Sequence, residues 1–349
     1  MHKILPVPLA LLLLTIGCGR TPMREIHPVA LPPQPAEDEV SRKRAEQLKQ
    51  VISPLKIRGV VMFPSAFFDR ETAPDSVMME ALKRCGFNRV YCHITSEQEL
   101  NGRLREFITS AKSAGLSVEI AFSQLDYYRR YRGNQLIRWA LIQYPGLVDV
   151  ARKVADFSRK LPENVRPDGV MVHIAPDIYN GKNAVRMYDH LYCWTEKRYG
   201  KGGDNDLLMR EAYEQLQAIA AIPELPPMTI AFADFFHEKA KEGELSVGTI
   251  GDFAKISPRL AVLNTANLPS RMSRNIADEL ADAPQGCRII AVVPLAHHTS
   301  VDADRLRRRD WNDFIRAVNA LVDISKRDDN FHGVILSPFA VVEYLRLEK

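Results

Sequence analysis

No sign of charge dominates this chain. Its 47 lysines and arginines meet 43 aspartates and glutamates over 349 residues, a formal +4 that is mixed along the sequence. That balance gives no basic patch or arm of the kind that binds nucleic acid. P-loop, zinc-ribbon and Gly-rich dinucleotide fingerprints are all missing, so no cofactor is expected. Cysteine is scarce, and the five present fit no metal-knuckle spacing. Long apolar runs are confined to one place, Ile4 to Ile16, which at 13 residues is too short to span a bilayer.

That run has the form of a secretory signal: Lys3, the apolar core, then Thr15-Ile16-Gly17-Cys18. The last four residues resemble a bacterial lipobox. The resemblance implies cleavage before Cys18, lipidation of that cysteine and a membrane anchor in the cell envelope. Gly19 after the cysteine resembles the outer-membrane default of Gram-negative bacteria. Residues 19–40 hold five prolines and no helical or strand period, the composition of an extended tether. The expected organisation is a signal peptide over 1–17, then a lipidated cysteine, tether and short helix over 18–52. A single domain over 53–349 follows. Export permits disulfides, but Cys92 lies inside a strand pattern, and buried free thiols are expected at Cys85, Cys92, Cys193 and Cys287.

The domain repeats one unit, an apolar run of strand length followed by a polar loop and an amphipathic helix. The runs are 57–63, 88–94, 116–122, 169–175, 228–234, 260–265, 287–294 and 331–337. Strict alternation means parallel strands with crossovers, and eight of them predict a (β/α)8 TIM barrel. A doubly wound open sheet is the alternative, without the Gly-rich first turn that would favour it. Pro74-Asp75 opens the first barrel helix and Gly86 ends it; Ser96 to Glu99 reads as a capping box for the second, ending at Gly115.

Within the barrel, aliphatic positions should face the helices. That puts Tyr91, His93 and Thr95 inward on the second strand. Ser117, Glu119, Ala121 and Ser123 face inward on the third. On the fourth, Met171, His173, Ala175 and Asp177 do so. Buried imidazoles and carboxylates must pair with each other or with a ligand. His93, Glu119 and His173 are therefore candidate ligand contacts, with Asp177 at the C-terminal mouth. Asp234 and Glu238 follow strand 5, Asn264 strand 6 and His297 strand 7. The run after strand 3, SQLDYYRRYRGNQLIRW, offers Tyr127 and Tyr128 among arginines, a composition suited to sugar rings and anionic groups; Tyr179 follows Asp177.

The segments AKSAGLSVEIAFSQ, RPDGVMVHIAPD and FHGVILSPF resemble strands 3, 4 and 8 of secreted TIM-barrel glycoside hydrolases, over about residues 57–349. The resemblance implies a polysaccharide ligand and an acid at the end of strand 4, which here is Asp177. Many retaining members carry a nucleophile at the end of strand 7, where this chain has Ala296-His297-His298. A second carboxylate would come from Asp234, Glu238, Asp126 or Glu119. Two other readings stand beside this one: a non-catalytic barrel that binds a glycan or an envelope partner, and a metal-dependent hydrolase. For the latter, His93, His173, His237, His297, Asp177 and Asp234 are possible ligands, although no His-Glu-x-x-His or strand-1 His-x-His is present.

Overall fold

Each of the eight apolar runs forms a strand. They are β1 (Ile57–Met62), β2 (Arg89–His93), β3 (Ser117–Ser123), β4 (Gly169–His173), β5 (Met228–Ala233), β6 (Arg259–Leu263), β7 (Arg288–Val293) and β8 (Phe331–Leu336). All neighbours pair in parallel and β8 closes onto β1, a (β/α)8 barrel rather than an open sheet. The computed structural model describes residues 39–62, 75–124, 146–179, 194–195, 199–264, 269–293 and 311–336. Met1–Ala36, with the signal run, Cys18 and most of the tether, lies outside them.

The shell helices are α1 (Glu39–Ile52), α2 (Asp75–Arg84), α3 (Gly102–Ser113), α4 (Leu147–Arg159), α5 (Asp204–Ala220), α6 (Phe235–Lys241), α7 (Ile250–Ile256), α8 (Pro269–Ala281) and α9 (Trp311–Ser325). Helix α1 belongs to the barrel unit, which runs Glu37–Lys349. Its Leu48 and Ile52 are buried, and Gln47 accepts a 2.5 Å hydrogen bond from the Trp311 indole of α9. Ser96 caps a short 3-10 turn, Glu97–Glu99, rather than the helix itself. Asn101 is the true cap of α3, accepting from the backbone N–H of Arg103 and Leu104.

The alternation expected for β2, β3, β4 and β8 is the one observed. Val90, Val118, Val170 and Val334 face the helices, while Tyr91, Ala121, Met171 and Ile335 fill the interior. Following the stagger of about one residue per strand, inward side chains stack in layers drawn alternately from odd and even strands. From the N-terminal end upward, the register stacks Arg89 with Gly169, Arg259 and Gly333; then Gly59, Glu119, Thr229 and Ile290; then Tyr91, Met171, Ala261 and Ile335. Val61, Ala121, Ala231 and Val292 come next, then His93, His173 and Leu263, with Ser123 and Ala233 above them. Alanines offset the bulk of Tyr91 and Met171, which is how one barrel volume is filled at native density.

The lower layers carry charge. Fully buried Glu119 meets Arg89 at 2.5 Å and Arg259 at 2.9 Å, and accepts from the Thr229 hydroxyl at 3.0 Å. A buried carboxylate persists because two guanidinium groups offset its desolvation. Gly169 leaves room for them: a Cβ there would stand 2.5 Å from an Arg259 nitrogen and 3.0 Å from the Glu119 carboxyl carbon. Cys92 and Cys287 are buried free thiols, Cys85 is buried, and Cys193 lies outside the described residues.

Candidate active site

The upper layer opens the C-terminal mouth, the face on which barrel enzymes carry their chemistry. His93 and His173 are half-buried there, on β2 and β4. Between their strands stands Ser123, the last residue of β3 and directly opposite His173 in the ladder. Its Oγ lies 2.7 Å from His173 Nδ1. One residue on, the Gln124 Oε1 accepts from the Ala175 N–H at 3.1 Å, tying the ends of β3 and β4 together. The chain then turns through a 3-10 segment, Pro176–Tyr179, which carries Asp177. After β2, the Glu99 carboxylate closes its own loop by accepting from the backbone N–H and the hydroxyl of Thr95.

Asp177 is half-buried, and its carboxyl is pushed up to about 6 by desolvation, offset only in part by a backbone N–H. Among the described residues no cation and no second carboxylate contributes to that shift. The phenol of Tyr199 lies within electrostatic range of it. Tyr199 stands edge-on to Trp194 at 5.8 Å, and the Lys239 ammonium sits 5.1 Å over the Tyr199 ring. Trp194 packs in turn against Phe236 at 5.6 Å and Phe235 at 6.4 Å, both at the end of β5.

What holds this aromatic wall is a pair of buried polar residues at the start of α5, which sequence reasoning did not single out. Asn205 bonds both backbone groups of Thr195, accepting from its N–H at 2.9 Å and donating to its carbonyl at 2.8 Å. Asp206 accepts from the backbone N–H of Gly202 and of Ser246 and from the Ser246 hydroxyl. Burial alone would raise the Asp206 carboxyl, but those donors outweigh it and the net shift is downward. The available signal was the run Gly200-Lys201-Gly202-Gly203-Asp204-Asn205-Asp206, a glycine-rich turn leading into a helix.

Four of the expected site residues stand elsewhere than expected. Asp234 follows inward Ala233, so it faces the helices: it is buried, caps α6 by accepting from the Phe235 N–H, and accepts from the Asn275 amide at 2.6 Å. Glu238, one turn further along α6, is exposed, and its carboxyl is raised first by desolvation and then by Asp234 and other neighbouring carboxylates. Neither joins Asp177. Asn264 is fully buried after Leu263 and donates to the Met272 carbonyl of α8 at 2.7 Å, again on the helix side. Glu119 belongs to the charged layers near the N-terminal end, where no ligand at the mouth reaches it, and it pairs with arginines rather than with His93. The side chain of Tyr179 and all of Tyr127, Tyr128, Asp126 and His297 lie outside the described residues.

The acids behind β5 and β6 form their own cluster between α6 and α8. The His237 Nδ1 accepts from the Ile250 N–H at 3.2 Å, so its proton resides on Nε2, which faces Asp282 at 2.9 Å and Glu279 at 3.5 Å. Burial lowers the His237 pKa, with Asp282 opposing. The buried Glu279 carboxyl is pushed up to about 9, by desolvation first and then by Asp234, Glu238, Asp278 and Asp282. Among the described residues no three His, Cys, Asp or Glu side chains converge as a cation site.

No protein-family model and no curated protein matches this chain. Solved structures share the barrel at low identity. A GH18 chitinase from Pseudoalteromonas aurantia is 13% identical with a TM-score of 0.45, over 83% of this chain and 97% of that one. A GH53 catalytic domain from Ignisphaera aggregans is 16% identical with a TM-score of 0.48, over 84% and 88%. Xylanase 10B from Thermotoga maritima is 12% identical with a TM-score of 0.43, over 86% and 90%.

Proposed function

We propose that this chain is a glycoside-hydrolase-like barrel that acts on a polysaccharide at its C-terminal mouth, with Asp177 as the proton donor. The observation that carries the reading is the Asp177 carboxyl. It is half-buried at the end of β4 and holds its proton up to about pH 6. A carboxylic acid that is still partly protonated near neutrality is what protonation of a glycosidic oxygen requires. The Ser123–His173 pair and the Gln124–Ala175 bond fix the strand ends beneath it, and Tyr199 borders it. The test is product release from envelope and extracellular polysaccharides by the wild type and by Asp177→Asn. The expected result is at least a 100-fold loss of rate in the variant, with binding nearly unchanged and no loss of thermal stability.

A second reading, a barrel that binds a glycan or an envelope partner without cleaving it, is favoured by the missing carboxylate partner of Asp177 among the described residues. Retention on a polysaccharide with no product from the wild type would select it. In either reading the protein is held on a bacterial membrane by acyl chains on Cys18, a proposal supported by the lipobox-like Thr15-Ile16-Gly17-Cys18. Each buried methylene contributes about 0.8 kcal/mol, so two or more chains anchor stably. Cys18→Ser is expected to remain unlipidated on fractionation, and a wholly soluble wild type would contradict the anchor.

A further inference from the structure

We infer that the N-terminal end of the barrel carries an oxyanion site, formed by Arg89 and Arg259 over Glu119, that takes one phosphate group. The site stands at the opposite end from the mouth and is independent of the hydrolytic reading. Every turn that enters a strand at this end lies within the described residues. The lowest inward layer is Arg89, Gly169, Arg259 and Gly333, so the two arginines supply the only side chains of that layer. Neither glycine tolerates a side chain: a Cβ at Gly333 would overlap the Ile57 carbonyl, and one at Gly169 would stand 2.5 Å from an Arg259 nitrogen. Both guanidinium groups are drawn to one carboxylate oxygen, Glu119 Oε1, from Arg89 at 2.5 Å and from Arg259 at 2.9 Å. Two positive charges therefore share one counter-charge, close enough together for a single phosphate to bridge them. A partly buried excess charge of this kind is stabilised by a further anion.

Donors remain for that anion. Arg259 gives Nε and Nη2 to the Thr229 hydroxyl and Nη2 also to the Pro227 carbonyl, while its Nη1 has no partner among the described residues. Arg89 gives Nη1 to Glu119 and touches the Tyr91 phenol, which leaves at least one of its nitrogens unengaged. The arginine side chains keep 21% and 16% of their surface exposed, whereas Glu119 is fully buried, so the arginines stand between the carboxylate and the solvent. The field around this opening has the same sign. Half-buried His332 is held below the usual imidazole range, first by desolvation and then by Lys56 and Arg288. Asp168, before β4, is engaged by Lys112 and by the Val118 N–H, and Asp328, before β8, by the Asn330 N–H. A phosphate, with its double charge and several acceptor oxygens, suits two guanidinium forks in this field better than a carboxylate does.

The test is titration of the full-length protein with inorganic phosphate at constant ionic strength, with chloride as the reference anion. Calorimetry should find one phosphate bound per chain, and the melting temperature should rise with the logarithm of phosphate concentration once the site is filled. Arg89→Lys and Arg259→Lys keep the charge and lose the fork, and each should weaken phosphate binding by about tenfold or more. Glycerophosphate in a parallel titration separates the sources of the group: binding as tight as phosphate assigns the site to an esterified phosphate such as a headgroup, and weaker binding assigns it to the free ion. An equal rise in chloride overturns the inference, as do lysine variants that both bind phosphate like the wild type. Should a lysine variant not fold, a crystal structure of the wild type grown in phosphate decides. Phosphate bridging Arg89 and Arg259 supports the site, and phosphate bound only elsewhere overturns it.

Discussion

Asp177 illustrates a conflict between stability and function within one side chain. Its carboxyl titrates near 3.8 in the unfolded chain and about 6 in the fold, so between those values the native state holds more protons. Stability therefore falls as pH rises from about 4 through about 6 and is constant above. Asp177→Asn removes that loss. The variant is expected to melt with the wild type below about pH 4 and to be more stable above pH 6 by about 1–3 kcal/mol. Equal melting at pH 7.5 would mean that the carboxyl is not desolvated. The inward residues below it were legible in the sequence because β4 keeps its period of two to His173, whereas Asp177 itself rides on the 3-10 segment Pro176–Tyr179. Asp234 and Asn264 were not legible in the same way. Each is the residue after the last inward position of its strand, and nothing in composition shows whether a polar residue there continues toward the mouth or turns to cap a helix.

At the scale of elements, the α6–α8 contact stores charge that the strands do not need. Glu279 on α8 holds its proton up to about pH 9, among Asp234, His237 and Glu238 from the β5–α6 segment and Asp278 and Asp282 from the α8 end. The unfolded chain gives up that proton near 4.5, so this carboxyl makes the fold less stable at each step from about pH 4.5 to about 9. Glu279→Gln keeps the shape and removes the titration. It is expected to raise the melting temperature at pH 8 by at least about 2 °C and to leave it unchanged at pH 4. A variant that melts lower at pH 8 would show the carboxylate to be held by a compensating donor. None of this was visible in the sequence, because α6 and α8 are brought together only by closure of the barrel around β5 and β6. The segment bearing Trp194 and Tyr199 was hidden for a similar reason. Its register depends on Asn205 and Asp206, whose polar side chains read as an ordinary helix start until their backbone partners at Thr195, Gly202 and Ser246 are seen.

For the molecule as a whole, the fold was the most legible feature. Eight strand-length runs separated by amphipathic helices admit few topologies, and parallel closure follows from right-handed crossovers. The inward polar set was legible too, but its division was not. Glu119 and His93 are neighbours in the sequence pattern, yet the stagger of the barrel sends one to a charged layer near the N-terminal end and leaves the other at the mouth. Removing Glu119 strips the counter-charge from Arg89 and Arg259 together. Glu119→Ala is expected to destabilise the barrel by about 3–5 kcal/mol in denaturant unfolding, whereas a loss below about 1 kcal/mol would mean that water reaches those arginines. One end of the barrel is thus closed by ion pairs and the other carries an imidazole and an acid. The pH dependence of polysaccharide cleavage by the full-length protein tests that division of labour most directly. The account predicts that kcat/KM falls as pH rises through about 6, following loss of the Asp177 proton, and that Asp177→Asn has no such limb because it has almost no activity. Cleavage by the wild type that is flat from pH 5 to 8, or an Asn variant that cleaves as fast as its parent, would contradict it.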